Sequence, residues 1–259
     1  IYDGTAPTIS STAPAQDASI KDAKVSYTLS EAVAEGTVTF TQTSGSEDVG
    51  SPHRQNLTGT ELNTGTHNTI TLTNSPTLVD GAIYSIAFDA TDAAGNTATR
   101  VTNTGITYDV TAPTITITAA EGDDGLTSND ATLALTFTSS EPTTNFAEGD
   151  ISVDNGALSD FASTSSTVYT ATFTPTADGA ATIDVAGSTF TDAAGNNNTA
   201  ATQFTWIYDG TAPTISSTAP AQDASIKDAK VSYTLSEAVA AGTVTFTQTS
   251  GSEDVGSPH

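Results

Sequence analysis

The feature that most constrains this chain is a long internal repeat. Residues 1–53 recur at residues 207–259 with a single substitution, in which Glu35 becomes Ala241. Self-similarity at a fixed offset is typical of arrays in which each repeat is one structural unit packed against the next. The repeat therefore predicts a string of small modules rather than one large fold.

A weaker repeat inside the long unit divides the chain into modules. The motif Tyr-Asp-x-Thr-Ala-Pro-Thr starts at Tyr2, Tyr108 and Tyr208, and Thr-Asp-Ala-Ala-Gly-Asn starts at Thr91 and Thr191. This spacing predicts modules of about 100 residues, an ordinary size for a folded domain. We expect four parts: a tail of a preceding module at 1–3, module A at 4–107, module B at 108–207, and the incomplete first half of a repeated module A at 208–259.

The apolar residues alternate with polar ones, which indicates strands. Val25, Tyr27 and Leu29 are separated by single polar residues, and Leu133 and Leu135 follow the same pattern. Such alternation gives a strand one buried face and one solvent face. In module A we place strands near 7–13, 24–30, 36–43, 54–62, 68–73, 82–90 and 98–108. About seven short strands separated by turn residues predict an all-β chain of tandem immunoglobulin-like antiparallel β-sandwich domains in an extended array.

Composition excludes several classes of function. The chain has 30 acidic and 6 basic residues and a formal net charge of −24, which disfavours binding to nucleic acid or to an anionic membrane. Cysteine is absent, so disulfides, zinc-thiolate sites and cysteine nucleophiles are excluded. Direct membrane insertion is not expected, because no apolar run is long enough. The histidines are His53, His67 and His259, and we expect the first two to be surface residues.

No catalytic constellation is evident, and we expect that the chain is not an enzyme. A serine hydrolase would need a nucleophile elbow and a partnered histidine, and neither pattern occurs. Paired carboxylates could serve a glycosidase, but such a site needs a cleft lined with aromatic residues. The only tryptophan is Trp206, and with Phe204 it has the alternation of a core strand.

The recurring motifs carry a family resemblance. A Tyr-Asp linker before Thr-Ala-Pro-Thr, a Ser-Glu turn at Ser30 and Ser140, and the closing Asp-Ala-Ala-Gly-Asn resemble bacterial Ig-like tandem repeats of giant cell-surface adhesins, including those exported by type I secretion. Module A departs from the pattern at residues 44–69, where it has a longer insertion rich in Gly, Ser and Asn. The resemblance implies an extracellular or cell-surface extender segment that supports attachment or biofilm formation.

Acidic residues are expected to meet at one end of each module. In an immunoglobulin-like sandwich, the chain entry, the loop after the second strand and the loop before the last strand share that end. The candidate metal ligands are Asp3, Glu31, Asp92 and Asn96 in module A, Asp109, Glu141, Asp192 and Asn196 in module B, and Asp209 and Glu237 in the repeated half. Loop acids at the opposite end of a preceding module, such as Asp17, Asp22 and Asp80, would add to the set.

Such a cluster has two interpretations. Two carboxylates about 4 Å apart repel by roughly 4 kcal/mol at an effective dielectric near 20, so three need a cation or a proton. Oxygen ligands without His or Cys favour Ca²⁺, with a dissociation constant of roughly 10⁻⁴ to 10⁻³ M or tighter. The resemblance implies the same ion at the junctions between modules. Alternatively, the acids are solvated turn formers that accept hydrogen bonds from their own backbone.

Two other functions remain open at this point. The chain could be a subunit of a self-assembling filament or sheath, or the insertion at residues 44–69 could bind a glycan or a protein. The expected partners are neighbouring repeats of the same long chain, with identical chains of a filament as the alternative. In a filament, residues 54–106 of a neighbouring chain would complete the half-module 207–259, whose strands would otherwise have open edges.

Overall fold

The computed structural model describes residues 2–252, which form β-strands joined by turns, loops and two single-turn 3-10 helices. Ile1, at the start of the predicted tail, and residues 253–259, at the end of the predicted half-module, lie outside the described residues. The chain divides into one compact unit that ends at Tyr208 and a second that starts at Asp209. The first unit contains modules A and B, and the expected all-β tandem fold is confirmed.

Module A is a sandwich of two sheets. Its strands are β1 (Ile9–Ala13), β2 (Ser19–Ile20), β3 (Val25–Leu29), β4 (Glu35–Gly45), β5 (His53–Asn56), β6 (Gly65–Ile70), β7 (Ala82–Thr91) and β8 (Val101–Tyr108). One sheet has the order β1-β3-β6 and the other the order β2-β8-β7-β4-β5. Strand pairs are antiparallel, except that β2 runs parallel to β8, because the chain crosses from the first sheet to the second between β1 and β2.

Module B repeats this plan. Its strands are β9 (Ile115–Ala119), β10 (Leu126–Ser128), β11 (Leu133–Ser139), β12 (Ile151–Asp154), β13 (Gly156–Ser163), β14 (Val168–Pro175), β15 (Gly179–Val185) and β16 (Phe204–Tyr208). The sheets have the orders β13-β14-β11-β9 and β10-β16-β15-β12. Each module therefore has eight strands rather than the seven expected. The additional strand of module A is the short β2, which lies at a sheet edge beside β8, and its counterpart in module B is β10 beside β16.

Each module has its own hydrophobic core, formed by the inward residues of both sheets. In module A, Tyr27 and Leu29 of β3 pack in one buried cluster with Ile86 and Phe88 of β7. Module B buries a separate cluster around Trp206, which is fully buried as the alternation predicted. Because no buried residue belongs to both clusters, each sandwich has the apolar interior needed to fold around its own core.

The insertion in module A differs from the sequence expectation. The strand predicted at 54–62 is a short strand, β5, followed by a 3-10 helix at Gly59–Leu62. The helix forms because Glu61 turns inward: its carboxylate accepts hydrogen bonds from the backbone N–H groups of Thr58 and Thr73, each at 2.7 Å, and from both hydroxyl groups. These bonds hold the pKa of Glu61 below its usual value, although burial alone would raise it.

Replacing Glu61 by alanine is expected to destabilise module A by about 2–3 kcal/mol, the usual size for a hydrogen-bonded buried charge. The substitution leaves the Thr58 and Thr73 N–H groups without their acceptor. Chemical denaturation of the purified chain measures the loss. Glu47→Ala is the matched control, since Glu47 is an exposed residue of the same insertion; an equal effect of both substitutions would show that the Glu61 contacts contribute nothing.

The expectation that both histidines lie at the surface is wrong for His53. Its Nε2 lies 2.6 Å from Oδ2 of Asp48, a carboxylate that also accepts a 2.7 Å hydrogen bond from the Tyr84 hydroxyl. These bonds lower the pKa of Asp48, and burial is the main cause that raises the pKa of Tyr84 to about 12. His67 stacks on Tyr27 with ring centroids 4.7 Å apart. Within the insertion, His53 therefore orients Asp48, which the Tyr84 hydroxyl joins to the sandwich, and His67 packs directly on the core residue Tyr27.

The second unit, as far as residue 252, contains one pair of strands. These are β17 (Ile215–Ala219) and β18 (Ser232–Leu235), which are antiparallel. Ile215 faces Leu235 and Ala219 faces Ser232, the same register by which β1 and β3 pair in module A. The repeated sequence thus reproduces the repeated local structure.

Candidate metal centre

The Ser-Glu turn is fixed to the entry segment of each module. In module A, the N–H of Ser30 donates to the carbonyl of Thr8 and the N–H of Thr8 donates to Oγ of Ser30, at 3.2 and 2.9 Å. Ser140 and Thr114 exchange the same two bonds in module B, both at 2.9 Å. Since the glutamate follows the serine directly, these bonds place Glu31 and Glu141 beside the entry of their modules.

The Asp-Ala-Ala-Gly-Asn loop folds around its own aspartate. Oδ1 of Asp92 accepts the N–H groups of Ala94 and Asn96, each at 2.8 Å, and the side chain is only 4% exposed. Gly95 has a φ of +90°, a conformation that favours glycine. Asp192 makes the corresponding 2.8 Å bond to Asn196 in module B. The motif is therefore a turn that presents one buried carboxylate.

The asparagine of the motif connects this loop to the entry segment. Nδ2 of Asn96 donates to Oδ2 of Asp92 at 2.7 Å and to the carbonyl of Asp3 at 3.2 Å. Nδ2 of Asn196 does the same with Asp192 and with the carbonyl of Asp109, both at 2.9 Å. The side-chain amide nitrogens of both asparagines thus position the aspartates. That the asparagines also ligate a metal stays a prediction.

Three carboxylates meet at the entry of each complete module. Two groups each offer one oxygen per residue, and the three oxygens of a group lie within 4.8 Å of one another; they are Asp3, Glu31 and Asp92 in module A, and Asp109, Glu141 and Asp192 in module B. The structure therefore brings together the acids that the sequence placed at this end. Of the repeated half, Asp209 is exposed and Glu237 is half-buried, and residues 207–259 contain no counterpart of Asp92.

The negative charge at the entry of module B is poorly compensated. Burial, and then the charges of Asp109, Asp192 and Asp80, raise the pKa of the Glu141 carboxyl. The pKa of Asp109 is raised in the same direction, first by burial and then by Asp192 and Asp80. Asp92 of module A shows the opposite shift, because its bond to the Asn96 side chain lowers its pKa. Repulsion at the second cluster is the force that a bound cation would remove.

Module A contributes a fourth acid to this region. Asp80, in the turn before β7, accepts the N–H of Val110 at 2.9 Å and the hydroxyl of Thr111 at 2.7 Å. These two bonds lower the pKa of Asp80. Nζ of Lys21, also in module A, donates to the carbonyl of Gly195 in module B. Module A therefore contacts both the linker and the Asp-Ala-Ala-Gly-Asn loop of module B.

Not every loop acid that the sequence added to the candidate set belongs to one of the two acid groups. Asp22 pairs with Lys24 at 2.8 Å, and Oδ1 of Asp17 lies near Gly105. The turn interpretation also has direct support, since Asp3 and Asp109 each accept the N–H of the residue two positions later, at 3.0 Å. One oxygen of each carboxylate thus accepts a hydrogen bond within the turn, and the other oxygen remains available to bind a cation.

The donor set fits a hard divalent cation. It consists of carboxylate oxygens, with neither sulfur nor imidazole, which is the chemistry that Ca²⁺ prefers over zinc or copper. The carboxylate of Glu141 accepts no hydrogen bond from the residues that the structure describes, so its oxygens are available. The residues that would ligate calcium are Asp109, Glu141 and Asp192 at the module B entry, and Asp3, Glu31 and Asp92 at the module A entry.

Comparison with known proteins agrees with the fold. A family described as a bacterial Ig-like domain matches residues 3–108, and a second family of the same description matches residues 109–207. Both modules are bacterial Ig-like domains. No curated protein matches the chain significantly. Within residues 2–252, no helix has the length and apolar character to cross a bilayer.

The two matches meet at the candidate centre. The first Ig-like domain ends at residue 108 and the second begins at Asp109, which belongs to the acid cluster. β8 ends at Tyr108 and β9 begins at Ile115, so a short linker joins the two domains. Tandem Ig-like domains of this kind are consistent with an extender or surface protein.

Proposed function

We propose that this chain is a structural extender segment of a repetitive extracellular adhesin, in which calcium stiffens the junctions between Ig-like domains and supports surface attachment or biofilm formation. The observation that supports this function best is the position of the second acid cluster. Asp109, Glu141 and Asp192 lie at the linker between the two domains, and the pKa values of Asp109 and Glu141 are raised, first by burial and then by neighbouring acids that include Asp80 of the first domain.

The junction is built to restrict bending. Residues 109–114 form the whole connection, and Asp80 bonds to two of its residues from the first domain. On the other side, Asn196 bonds to the carbonyl of Asp109 from the second domain. A cation held by Asp109 and Glu141 would tie the linker to the second domain and attract Asp80 toward it. Its bound charge would replace repulsion by attraction across the linker.

The surface suits an extended segment that stays separate from its neighbours. The outward positions of β11 are Ala134, Thr136 and Thr138, while its inward residues are buried. The chain carries a formal net charge of −24, which opposes association between like segments. Calcium at the junctions would neutralise acids that are already gathered there without coating the rest of the surface.

A glycan-binding role for the insertion at residues 44–69 has less support. This segment contains no Phe, Tyr or Trp, so it has no aromatic ring on which a sugar could stack. Its inward carboxylates, Asp48 and Glu61, accept bonds from the domain's own residues. Val49 is its one strongly exposed large apolar side chain among the described residues. These contacts favour a role in completing the first Ig-like domain.

The proposed function is tested by comparing the chain in calcium with the chain in a chelator. Saturating calcium at 100 times the dissociation constant stabilises the folded state by about 2.7 kcal/mol per site. We expect a higher melting temperature, and small-angle scattering is expected to show a narrower distribution of distances between the first and second Ig-like domains. Magnesium at the same ionic strength is the control for screening. Identical melting and scattering with calcium and chelator would contradict the proposal.

A further inference from the structure

Lys21 lies at the end of module A from which the linker starts. It follows β2 directly, and the carbonyl of Ile20, the last residue of β2, accepts the N–H of Asp109 at 2.8 Å. β2 also pairs with β8, the strand that leads into the linker. The short strand therefore fixes the backbone of Lys21 beside the first residue of the linker.

The ammonium group of Lys21 bonds to the loop of module B that carries Asp192. Nζ of Lys21 donates to the carbonyl of Gly195. A β-carbon built on Gly195 would lie 3.6 Å from the same Nζ, so the end of the lysine side chain lies against this residue. The N–H of Gly195 in turn donates to the carbonyl of Asp192 at 3.3 Å. Lys21 thus contacts a loop that is already folded around one aspartate of the acid cluster.

These contacts close a ring across the junction. Asp109 is held from both sides, because its N–H donates to Ile20 of module A and its carbonyl accepts Nδ2 of Asn196 of module B at 2.9 Å. Asn196 follows Gly195 in the loop, and Lys21 follows Ile20. The bond between Lys21 and Gly195 therefore joins the two modules at a second point beside Asp109. A domain attached at one point can turn about that point, whereas a second attachment opposes the rotation.

The charge of Lys21 does not neutralise the acid cluster. The pKa values of Asp109 and Glu141 are raised by burial and by other acids, and among the described residues no basic side chain contributes to either shift. The contribution of Lys21 to the junction is therefore its hydrogen bond to the loop, which leaves the repulsion between the acids in place.

We propose that Lys21 is a positioning residue that fixes the orientation of module B relative to module A in the absence of metal. Asp80 and Ile20 bond to the linker, whereas Lys21 bonds to the body of module B. The role of this bond in a stiff array rests on the proposed function, but the bond itself needs no ion. Calcium at the second cluster would strengthen an orientation that the protein already sets.

The bond is a property of A-type modules. Lys21 recurs as Lys227 in the repeated sequence. In module B the strand that corresponds to β2 is β10, and the residue after it is Asn129. Residues 101–206 contain neither Lys nor Arg, so module B has no side chain that could supply the ammonium group. A junction that follows a B-type module would therefore lack this bond and depend on its linker and on a bound cation.

The experiment measures the distance between the two domains in the metal-free full chain. The chain contains no cysteine, so Thr41→Cys and Thr118→Cys, at one exposed position in each domain, accept a single pair of spin labels. With Lys21→Met in this labelled chain, pulsed electron resonance is expected to show a broader distribution of distances. We expect the fraction outside the main peak to increase about fivefold, the size of effect for one exposed hydrogen bond from a charged group. Lys21→Arg keeps a donor at this position and is expected to retain the narrow distribution.

Lys24→Met is the matched control, because Lys24 pairs with Asp22 inside module A at 2.8 Å and its replacement removes the same charge. It is expected to leave the distribution narrow. Equal distributions in the labelled chain with and without Lys21→Met would overturn the proposal. Equal broadening by Lys21→Met and Lys24→Met would also overturn it, since net charge would then explain the effect. All of these measurements are made in a chelator, so failure of calcium to bind would leave them unchanged, which separates this test from that of the proposed function.

Discussion

Replacing Trp206 by alanine is expected to unfold the second Ig-like domain while the first stays folded. Trp206 is fully buried, packs edge-to-face on Phe173 with ring centroids 6.0 Å apart, and donates its indole N–H to Ser128 at 3.1 Å. Truncation of a buried tryptophan costs about 3–5 kcal/mol, a large part of the total stability of a domain of this size. The separate core of the first domain contains no contact that this substitution removes.

Hydrogen exchange distinguishes the two domains in the same sample. Peptides from β7 and β8 are expected to keep their protection, whereas peptides from β11 and β14 are expected to lose it. Ile207→Ala is the matched control, because Ile207 lies in the same strand but is 42% exposed. Simultaneous loss of protection in both domains would mean that the tandem pair unfolds as one cooperative unit, contrary to the two separate cores.

Replacing Glu141 by glutamine is expected to change stability in opposite directions with and without calcium. Glutamine has nearly the same shape, and within residues 2–252 the Glu141 side chain makes no hydrogen bond that would be lost. Without metal, removal of one charge relieves repulsion from Asp109 and Asp192, and for this partly exposed group we expect a gain of about 1 kcal/mol, or about 5 °C in melting temperature. With calcium, the variant loses a ligand and most of the calcium-dependent stabilisation of about 2.7 kcal/mol.

The pH dependence of this difference has a definite sign. The folded-state pKa of Glu141 is raised, so ionisation of this group penalises the folded state. This destabilisation of the folded state has its full size at pH values above the raised pKa of Glu141. It disappears as the pH falls below that pKa toward the ordinary carboxyl pKa of about 4.3. The metal-free advantage of Glu141→Gln is therefore expected at pH 7 and should vanish near pH 4.

Fluorescence of Trp206 measures the melting of the second domain, because the only tryptophan of the chain lies there. Glu148→Gln is the matched control, since it removes the same charge from an exposed position of the same domain. Equal melting shifts for Glu141→Gln and Glu148→Gln, with and without calcium, would show that the cluster adds nothing beyond net charge.

The sequence predicted the parts of the fold that depend on short-range pattern. Alternation at Val25, Tyr27 and Leu29 identified a buried strand, because a period of two leaves only one face for the core. The acid clusters were also predicted, since repeated motifs and sandwich topology together place Asp92 and Glu31 at one end. Both inferences rest on residues whose neighbours in space follow directly from strand order.

The features that the sequence did not predict depend on contacts between distant segments. The additional strand β2 has only two residues, too few to show alternation, and it forms by pairing with the distant strand β8. His53 was predicted to be a surface residue, because the sequence alone does not show that its partner Asp48 is held inward by a hydrogen bond from Tyr84, far along the chain. The positioning role of Asn96 likewise depends on the carbonyl of Asp3, which only the folded module brings near.

Calorimetric titration of calcium into the metal-free chain tests the junction most directly. With wild-type protein, we predict binding at the two complete acid clusters, and with Glu141→Gln we predict the loss of one of these sites while Glu148→Gln keeps both. Heat of binding that is absent in the wild-type chain, or the same in all three proteins, would contradict the account of a metal-stiffened junction.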